Sequence, residues 1–171
     1  MTEAHSAEIA WAGLGSNLNP ERNLPQALAL LQDRFGDMRI SPAYRSAAVG
    51  GAAPDFVNLV VAFQTNLDPE SVNEEFKRIE HALGRERGTG TEAGHTIDID
   101  LLLLGNRVGT FGAVTLPRRD VTKYAYVLRP LAELEPEGVH PVLGKSFSEL
   151  WGEWDQAGEL VAVVLELVGS E

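Results

Sequence analysis

The chain has 171 residues, no cysteine, and 14 basic against 25 acidic side chains, which gives a formal net charge of −11. This length suits one compact domain over residues 1–171. The lack of cysteine excludes disulfides, thiolate zinc sites and cysteine nucleophiles, so a metal would rest mainly on carboxylates, which suits magnesium or manganese. The negative charge disfavours nucleic acid and anionic membranes as partners.

The N-terminal stretch MTEAHSAEIAWAG lacks the basic start and apolar segment of a signal peptide, and no apolar run reaches membrane-spanning length. We therefore expect a cytoplasmic protein. A polyanionic ligand would need a local basic site, and two clusters could provide one: residues 118–129 with four basic side chains, and Arg85 with Arg87. Either cluster could equally be a solvated surface patch.

The first predicted elements are a strand and a helix. The stretch EIAWAGLG is typical of a short apolar strand that ends in a glycine-rich turn. Asn19 and Pro20 then supply an N-cap and a first-turn residue for a helix that runs to about Phe35. An extended segment follows from Asp37 to Val49.

The middle of the chain predicts a second strand, a second helix and a loop. DFVNLVVAFQT alternates as a strand, with Phe56 and Asn58 on one face. Asp68-Pro69 opens a helix that ends near Gly84. The stretch RERGTGTEAGH has no apolar side chain larger than alanine, so we expect a mobile loop over residues 84–95 that closes over a ligand.

The last third predicts a strand around Asp98 and Asp100, another strand over residues 113–116, and a helical stretch over 122–134 that Pro130 interrupts. ELVAVVLELV near the end fits either a strand or a short helix. The order strand, helix, strand, strand, helix, strand matches the split βαβ layout. We therefore predict an α+β fold with a ferredoxin-like βαββαβ core, helices packed on a mainly antiparallel sheet, and a C-terminal extension.

The stretch HTIDIDLLLLG contains a carboxylate pair. Alternation places Asp98 and Asp100 on one strand face, with Cα atoms roughly 6.5 to 7 Å apart, close enough to share one divalent cation or to hold two that bridge a phosphate chain. The Asp face is expected to continue through Leu102 and Leu104, and the opposite face to carry Ile97, Ile99, Leu101 and Leu103.

Three other interpretations of the pair stay open: a solvated sheet face, partners of structural salt bridges, and the acid and base of a glycosidase. The apolar continuation weakens the first, and nothing marks one carboxyl as the proton donor that the last requires. The glycines of GLGSN lack the third glycine of a dinucleotide fingerprint and the lysine of a P-loop. We therefore interpret Gly13 and Gly15 as a tight turn.

Several motifs together carry a family resemblance. GLGSN, YRSAAVG, PDFVNLVVAFQTNL, RIEHALGRER, TIDIDLLLLG and LPRRD, in this order, resemble the 6-hydroxymethyl-7,8-dihydropterin pyrophosphokinase family of folate biosynthesis over roughly residues 9–135. The resemblance implies the βαββαβ fold. It also implies that ATP donates its β,γ-pyrophosphate to the hydroxymethyl oxygen of the pterin and releases AMP, with two magnesium ions.

The resemblance also implies roles for individual residues. Asp98 and Asp100 match the magnesium-binding aspartates. Phe56 and Tyr126 match the two aromatic positions that sandwich the pterin, which Asn58 hydrogen-bonds, and the backbone at Ser46, Ala47 and Val49 faces the same ligand. The residues expected to bind the nucleotide and its phosphates are Glu80, Arg85, Arg87, His95, Thr115, Arg118 and Arg119. The expected catalytic set is Asp98, Asp100, Arg87 and Arg118.

This chain departs from the family pattern at three places. Where the loop usually reads tryptophan, glycine, proline, arginine, this chain has residues 92–95, EAGH. The usual histidine after LP is Arg118, and a family arginine is Tyr124. Losing one arginine can remove several kcal/mol of transition-state stabilisation. We expect Arg118 and Arg119 to restore positive charge from the opposite wall, with His95 contributing when protonated.

These departures keep two other functions open. One is a pterin-binding member of the family that has weak or no transferase activity, since the pterin half of the pattern is better kept than the nucleotide half. The other is a magnesium-dependent hydrolase of a related nucleotide or pterin phosphate. Formation of AMP that depends on both ATP and pterin separates the transferase from both alternatives.

Overall fold

A computed structural model describes residues 6–46, 55–84, 97–156 and 160–165. The strands are β1 (Glu8–Ser16), β2 (Met38–Ile40), β3 (Ala43–Ser46), β4 (Phe56–Thr65), β5 (Asp98–Leu104), β6 (Gly109–Phe111), β7 (Val114–Leu116) and β8 (Val161–Val163). The helices are α1 (Pro20–Phe35), α2 (Pro69–Ala82), α3 (Asp120–Lys123), α4 (Ala125–Leu134) and α5 (Phe147–Gly152). No helix in these ranges is long and apolar enough to cross a membrane.

The main sheet has the order β5-β1-β4-β3-β8, and β2 also pairs with β4. Its strand pairs are antiparallel. Strands β6 and β7 form a separate hairpin. The order of β1, α1, β3, β4, α2 and β5 along the chain confirms the predicted α+β fold with a mainly antiparallel sheet.

Helices cover both faces of the sheet. Leucines of α1 and Phe76 of α2 join the alternate residues of β1, β4 and β5 in one apolar cluster, where the rings of Phe35, Phe63 and Phe76 contact one another. We call this side the helical-core face. Residues of α3, α4 and α5 pack on the other side against Val60, Leu102 and Leu103. We call that side the α4 face, and it carries the candidate site.

Helix boundaries follow local signals in the sequence. The side chain of Asp68 accepts a hydrogen bond from the Ser71 N–H at the start of α2, as predicted. Helix α1 begins at Pro20 as predicted, but Asn19 makes no side-chain cap; its backbone is left-handed, with φ 47°. Its carbonyl accepts the N–H of Asn23 instead, at 2.9 Å.

Two predicted boundaries were wrong. Strand β1 continues to Ser16, so Gly13 and Gly15 lie inside the strand instead of forming a turn. The helical stretch breaks at Tyr124, which is extended, whereas Pro130 lies inside α4. Pro130 only removes one helical N–H, the one that would bond the carbonyl of Tyr126, and the packing of α4 on the sheet tolerates that loss.

A register shift between Trp11 and Ala12 of β1 changes which side chains of β5 point to each face of the sheet. Both Leu102 and Leu103 pack on the α4 face, while Leu104 packs on the helical-core face. The expected faces of Leu103 and Leu104 were therefore wrong, because an irregularity in the pairing shifts the strict alternation by one residue. The C-terminal segment forms the strand β8, and the predicted mobile loop falls, beyond Gly84, outside the described residues.

Candidate active site

The candidate site is built on two rows of paired residues across β4, β1 and β5. In the outer row Gly15 pairs with Asn58 on one side and Asp98 on the other. In the next row Gly13 pairs with Val60 and Asp100. Directly paired residues share a sheet face. The two glycines therefore leave a strip without side chains between the amide of Asn58 and the carboxylate pair.

Gly15 and Gly13 differ in how much room they leave. A Cβ atom at Gly15 would lie 2.5 Å from Nδ2 of Asn58 and 3.7 Å from Cδ1 of Phe56. A Cβ atom at Gly13 would make an ordinary contact of 3.6 Å with Leu102. The Asn58 side chain therefore occupies space that only glycine at position 15 leaves open. The sequence interpretation of these glycines as a turn missed this role.

The two residues of β4 that are expected to contact a pterin lie close together. Phe56 and Asn58 are both half-buried and share the α4 face, as predicted. Oδ1 of Asn58 is buried and has no hydrogen-bond partner in the described part of the chain. A buried carbonyl oxygen without a donor is costly, and native structures usually satisfy it. The position therefore suits a ligand that presents an N–H group. Ser46 pairs with Phe56 from β3 and is buried.

The carboxylate end has a distinct electrostatic environment. Burial raises the pKa of Asp100, the nearby charges of Asp98 and Asp120 add to the rise, and Arg118 and Lys77 act against it. The Asp100 side chain keeps 36% of its surface exposed, and its Oδ2 lies 3.7 Å from Nη2 of Arg118. Asp100 is therefore accessible from solvent while carrying a partly compensated charge.

Arg118 lies between two carboxylates. Its backbone N–H donates to the Leu102 carbonyl at 2.9 Å, which attaches the segment before α3 to β5. Its Nε lies 3.3 Å from Oδ2 of Asp120 but, within the described ranges, is buried without a hydrogen-bond partner. The structure thus places Arg118 beside Asp100, while Arg119 is exposed at the start of α3. Thr115 is exposed on β7.

Tyr126 lies in the first turn of α4 and stacks on Tyr124, with ring centroids 4.9 Å apart and planes at 17°. Burial, followed by the neighbouring Tyr124, Asp120 and Asp100, raises the pKa of Tyr126 to about 12. The Tyr126 hydroxyl therefore stays protonated at neutral pH and can donate a hydrogen bond.

Glu80 lies near the end of α2, as expected, and its carboxylate contacts the backbone of β5. It is only 1% exposed, and its Oε2 accepts the N–H of Ile99 at 2.8 Å, between the two aspartates. In the described part of the chain, strand β5 lies at the edge of the sheet, where backbone N–H groups have no neighbouring strand to pair with. The carboxylate of Glu80, on α2, accepts one of these N–H groups. Lys77 pairs with Glu80 at 3.3 Å. Glu80 therefore holds the strand that carries the carboxylate pair.

Five predicted site residues lie outside the described ranges: Ala47, Val49, Arg85, Arg87 and His95. Within those ranges no group of three or more histidine, aspartate or glutamate side chains could hold a metal ion. Asp98 and Asp100 alone still fit magnesium, which usually binds one or two carboxylates and takes its other ligands from waters and substrate phosphates.

The structure thus defines an α+β protein with a candidate small-molecule site on one face of its antiparallel sheet. Residues 11–136 match the family described as 7,8-dihydro-6-hydroxymethylpterin-pyrophosphokinase (HPPK). The chain belongs to this family.

Relatives and solved structures agree with that membership. The chain is 35% identical over 172 residues to a 2-amino-4-hydroxy-6-hydroxymethyldihydropteridine pyrophosphokinase of Synechocystis sp., covering 98% of this chain and 86% of the relative. It is 35% identical over 131 residues to the Pseudomonas aeruginosa protein of that name, covering 74% of this chain and 80% of the relative. The fold resembles a Plasmodium falciparum HPPK-DHPS crystal structure with pteroate, at TM-score 0.73 and 16% identity, covering 90% of this chain and 43% of that one.

Proposed function

We propose that this protein transfers pyrophosphate from ATP to 6-hydroxymethyl-7,8-dihydropterin and releases AMP, a step of folate biosynthesis. One observation carries the proposal: the unpartnered amide oxygen of Asn58 and the carboxylates of Asp98 and Asp100 share one sheet face, separated by Gly13 and Gly15. This arrangement suits a ligand with a hydrogen-bonding ring at one end and a magnesium-bound phosphate chain at the other.

At the ring end, the pterin stacks on Phe56 and on Tyr126, and its N–H groups meet the Asn58 oxygen. Ser46, next to Phe56 on β3, borders the same end of the site. Because position 15 is glycine, the Asn58 amide keeps its place beside β1, where a Cβ atom would displace it. The ring end therefore fixes where the hydroxymethyl group of the substrate lies.

At the phosphate end, Asp98 and Asp100 would hold magnesium, with two ions proposed. When bound, magnesium neutralises phosphate charge and stabilises the displacement. Arg118 adds positive charge beside Asp100, and the raised pKa of Asp100 means that its carboxyl loses its proton at a higher pH than an ordinary aspartate. Glu80 keeps the strand of both aspartates in place through Ile99.

In the proposed reaction, the hydroxymethyl oxygen of the pterin attacks the β-phosphorus of ATP, the bond from that phosphorus to the α-phosphate oxygen breaks, and AMP leaves. The hydroxyl proton is released from the attacking oxygen. Phosphoryl transfer of this kind needs positioning and charge stabilisation more than covalent help from the protein. The aromatic and amide residues position the acceptor, and Arg118 offsets charge on the donor.

The test is AMP formation by purified protein from ATP and magnesium, with and without 6-hydroxymethyl-7,8-dihydropterin. We expect AMP only when the pterin is present, and a loss of at least about a hundredfold in kcat for Asp98→Asn. Asp33→Asn, which removes an exposed carboxylate on α1, is the matched control and should leave the rate unchanged.

Other outcomes of the assay separate the alternatives. Tight pterin binding without AMP would identify a binding member of the family that lacks transfer. Release of AMP or phosphate without pterin would identify a hydrolase. Either result would reject the proposed transferase.

A further inference from the structure

The junction of α3 and α4 has a geometry that the proposed reaction does not by itself explain. Helix α3 ends at Lys123, α4 begins at Ala125, and Tyr124 between them is extended, with φ −125° and ψ 130°. The N–H of Tyr124 donates to the Asp120 carbonyl at 3.1 Å, and its own carbonyl accepts the Leu128 N–H at 3.0 Å. The backbone of Tyr124 is therefore held from both helices.

The extended residue allows two rings to stack that a continuous helix would separate. Side chains two positions apart on an α-helix do not face each other. Tyr124 and Tyr126 nevertheless stack with ring centroids 4.9 Å apart and planes at 17°. The break before α4 is therefore the feature that brings the ring of Tyr124 onto the ring of Tyr126.

The ring of Tyr124 also has a cation beside it. Nζ of Lys123 lies over this ring, 5.3 Å from its centroid. The ring of Tyr126 covers one face of Tyr124, and the ammonium group of Lys123 lies beside the same ring. A ligand ring that stacks on Tyr126 must use the face that Tyr124 leaves open.

The other end of the Tyr126 ring is also located by its surroundings. The charges of Asp120, Asp100 and Arg118 all act on the Tyr126 hydroxyl. The ring of Tyr126 therefore lies near Asp100, Asp120 and Arg118, and the stacked ring of Tyr124 packs against its plane. An aromatic side chain that is already held in place loses less conformational entropy when a ligand stacks on it.

We propose that Tyr124 is a positioning residue for pterin binding: it covers one face of Tyr126 and holds that ring in the plane that stacks on the substrate. The inference rests on the proposed function, because it takes the pterin as the stacked ligand. It assigns to Tyr124 an effect on the pterin site without any contact between Tyr124 and the ligand.

The test compares Tyr124→Ala, Tyr124→Phe and Lys123→Ala with the wild-type protein. The dissociation constant of 6-hydroxymethyl-7,8-dihydropterin is measured by calorimetric titration, and the KM for ATP is measured in the same proteins. We expect Tyr124→Ala to weaken pterin binding about three- to tenfold, the range of one aromatic stacking pair. Tyr124→Phe keeps the ring, and Lys123→Ala keeps the Tyr124–Tyr126 stack, so both should stay within about twofold of wild type.

The outcomes separate this inference from the proposed function. Weaker pterin binding in Tyr124→Ala, rescued in Tyr124→Phe and with an unchanged KM for ATP, supports the positioning role. Unchanged or tighter pterin binding in a folded Tyr124→Ala protein overturns it while leaving the proposed function in place. If wild-type protein neither binds the pterin nor forms AMP from ATP and the pterin, the proposed function fails and the inference fails with it.

Discussion

The two faces of the sheet differ in polarity, and the difference is sharpest between two adjacent rows of paired residues across β4, β1 and β5. On the helical-core face, Leu14 pairs with Leu59 and Ile99, and all three are almost fully buried. One residue further along, Gly15 pairs with Asn58 and Asp98 on the α4 face. A single step along each strand thus changes an apolar row into a polar row. Folding stability and ligand binding are therefore served by alternate residues of the same strands.

The contrast also shows why the site can hold costly groups. Asn58 keeps a buried oxygen without a partner in the described part of the chain, and Asp100 is a carboxylate whose pKa burial raises. Such groups reduce the stability of the ligand-free protein. The apolar cluster on the helical-core face compensates for this loss of stability. Residues of α1 and α2 pack closely there, and neither Asn58 nor Asp100 is part of that cluster.

The largest effect on stability should come from the helical-core face. Leu14→Ala removes a fully buried side chain and should lower the free energy of unfolding by about 2–5 kcal/mol, measured by urea denaturation. Asp98→Asn, in the neighbouring row, should change it by less than about 1 kcal/mol while removing transferase activity. An equal loss of stability in both variants would show that the two faces do not have separate roles.

A smaller effect is expected within the α4 face itself. Gly15→Ala would place a Cβ atom 2.5 Å from Nδ2 of Asn58, so the amide must move, and pterin binding should weaken by about tenfold. Gly13→Ala is the matched control, since its Cβ meets Leu102 at 3.6 Å. Because glycine inside a strand lowers the free energy of unfolding by about 0.5–1 kcal/mol relative to alanine, Gly13→Ala should not destabilise the fold.

Pterin titration of the two glycine variants gives the comparison. Normal affinity in Gly13→Ala and reduced affinity in Gly15→Ala would tie the effect to Asn58. The same loss in both variants would mean that the strip between Asn58 and the carboxylates, and not the amide, limits binding.

The sequence predicted the strands β1, β4, β5 and β7, the helices α1 and α2, and the position of the carboxylate pair, because these depend on local alternation and capping. Asp68 caps α2, and Phe56 and Asn58 share a face, as expected. It could not predict the role of Gly15, which depends on a neighbour in β4 that is more than forty positions away in the sequence. The faces of Leu103 and Leu104 depend on a register shift against β1, which strict alternation does not show.

The break at Tyr124 was missed for a related reason. Proline is the strongest local signal against a helix, so the interruption was expected at Pro130. The structure keeps Pro130 inside α4, where its neighbours Val127, Leu128 and Leu131 pack on the sheet, and breaks the helix where two tyrosine rings stack. Tertiary packing, which the local sequence does not encode, decides both positions.

The smallest predicted effect concerns the cost of the charge on Asp100. Its pKa is raised above the ordinary value of 3.8, mainly by burial, so ionisation destabilises the folded state. The stability that the neutral carboxyl provides is complete below pH 3.8 and is lost as the pH rises through the raised pKa. Asp100→Asn stays neutral, so at pH 7 and without ligand its melting temperature should exceed that of wild type by a few degrees at most.

That difference should vanish below pH 3.8, where the wild-type carboxyl is also neutral, and it should reverse at pH 7 with magnesium and ATP, which stabilise only a protein that binds them. Asp33→Asn, at an exposed position of α1, controls for the loss of one negative charge. Equal melting temperatures of wild type and Asp100→Asn at pH 7 would mean that Arg118 and Lys77 fully offset the burial of Asp100. The carboxylate pair would then carry no stability cost, and the contrast between the two faces would rest on Asn58 and the glycines alone.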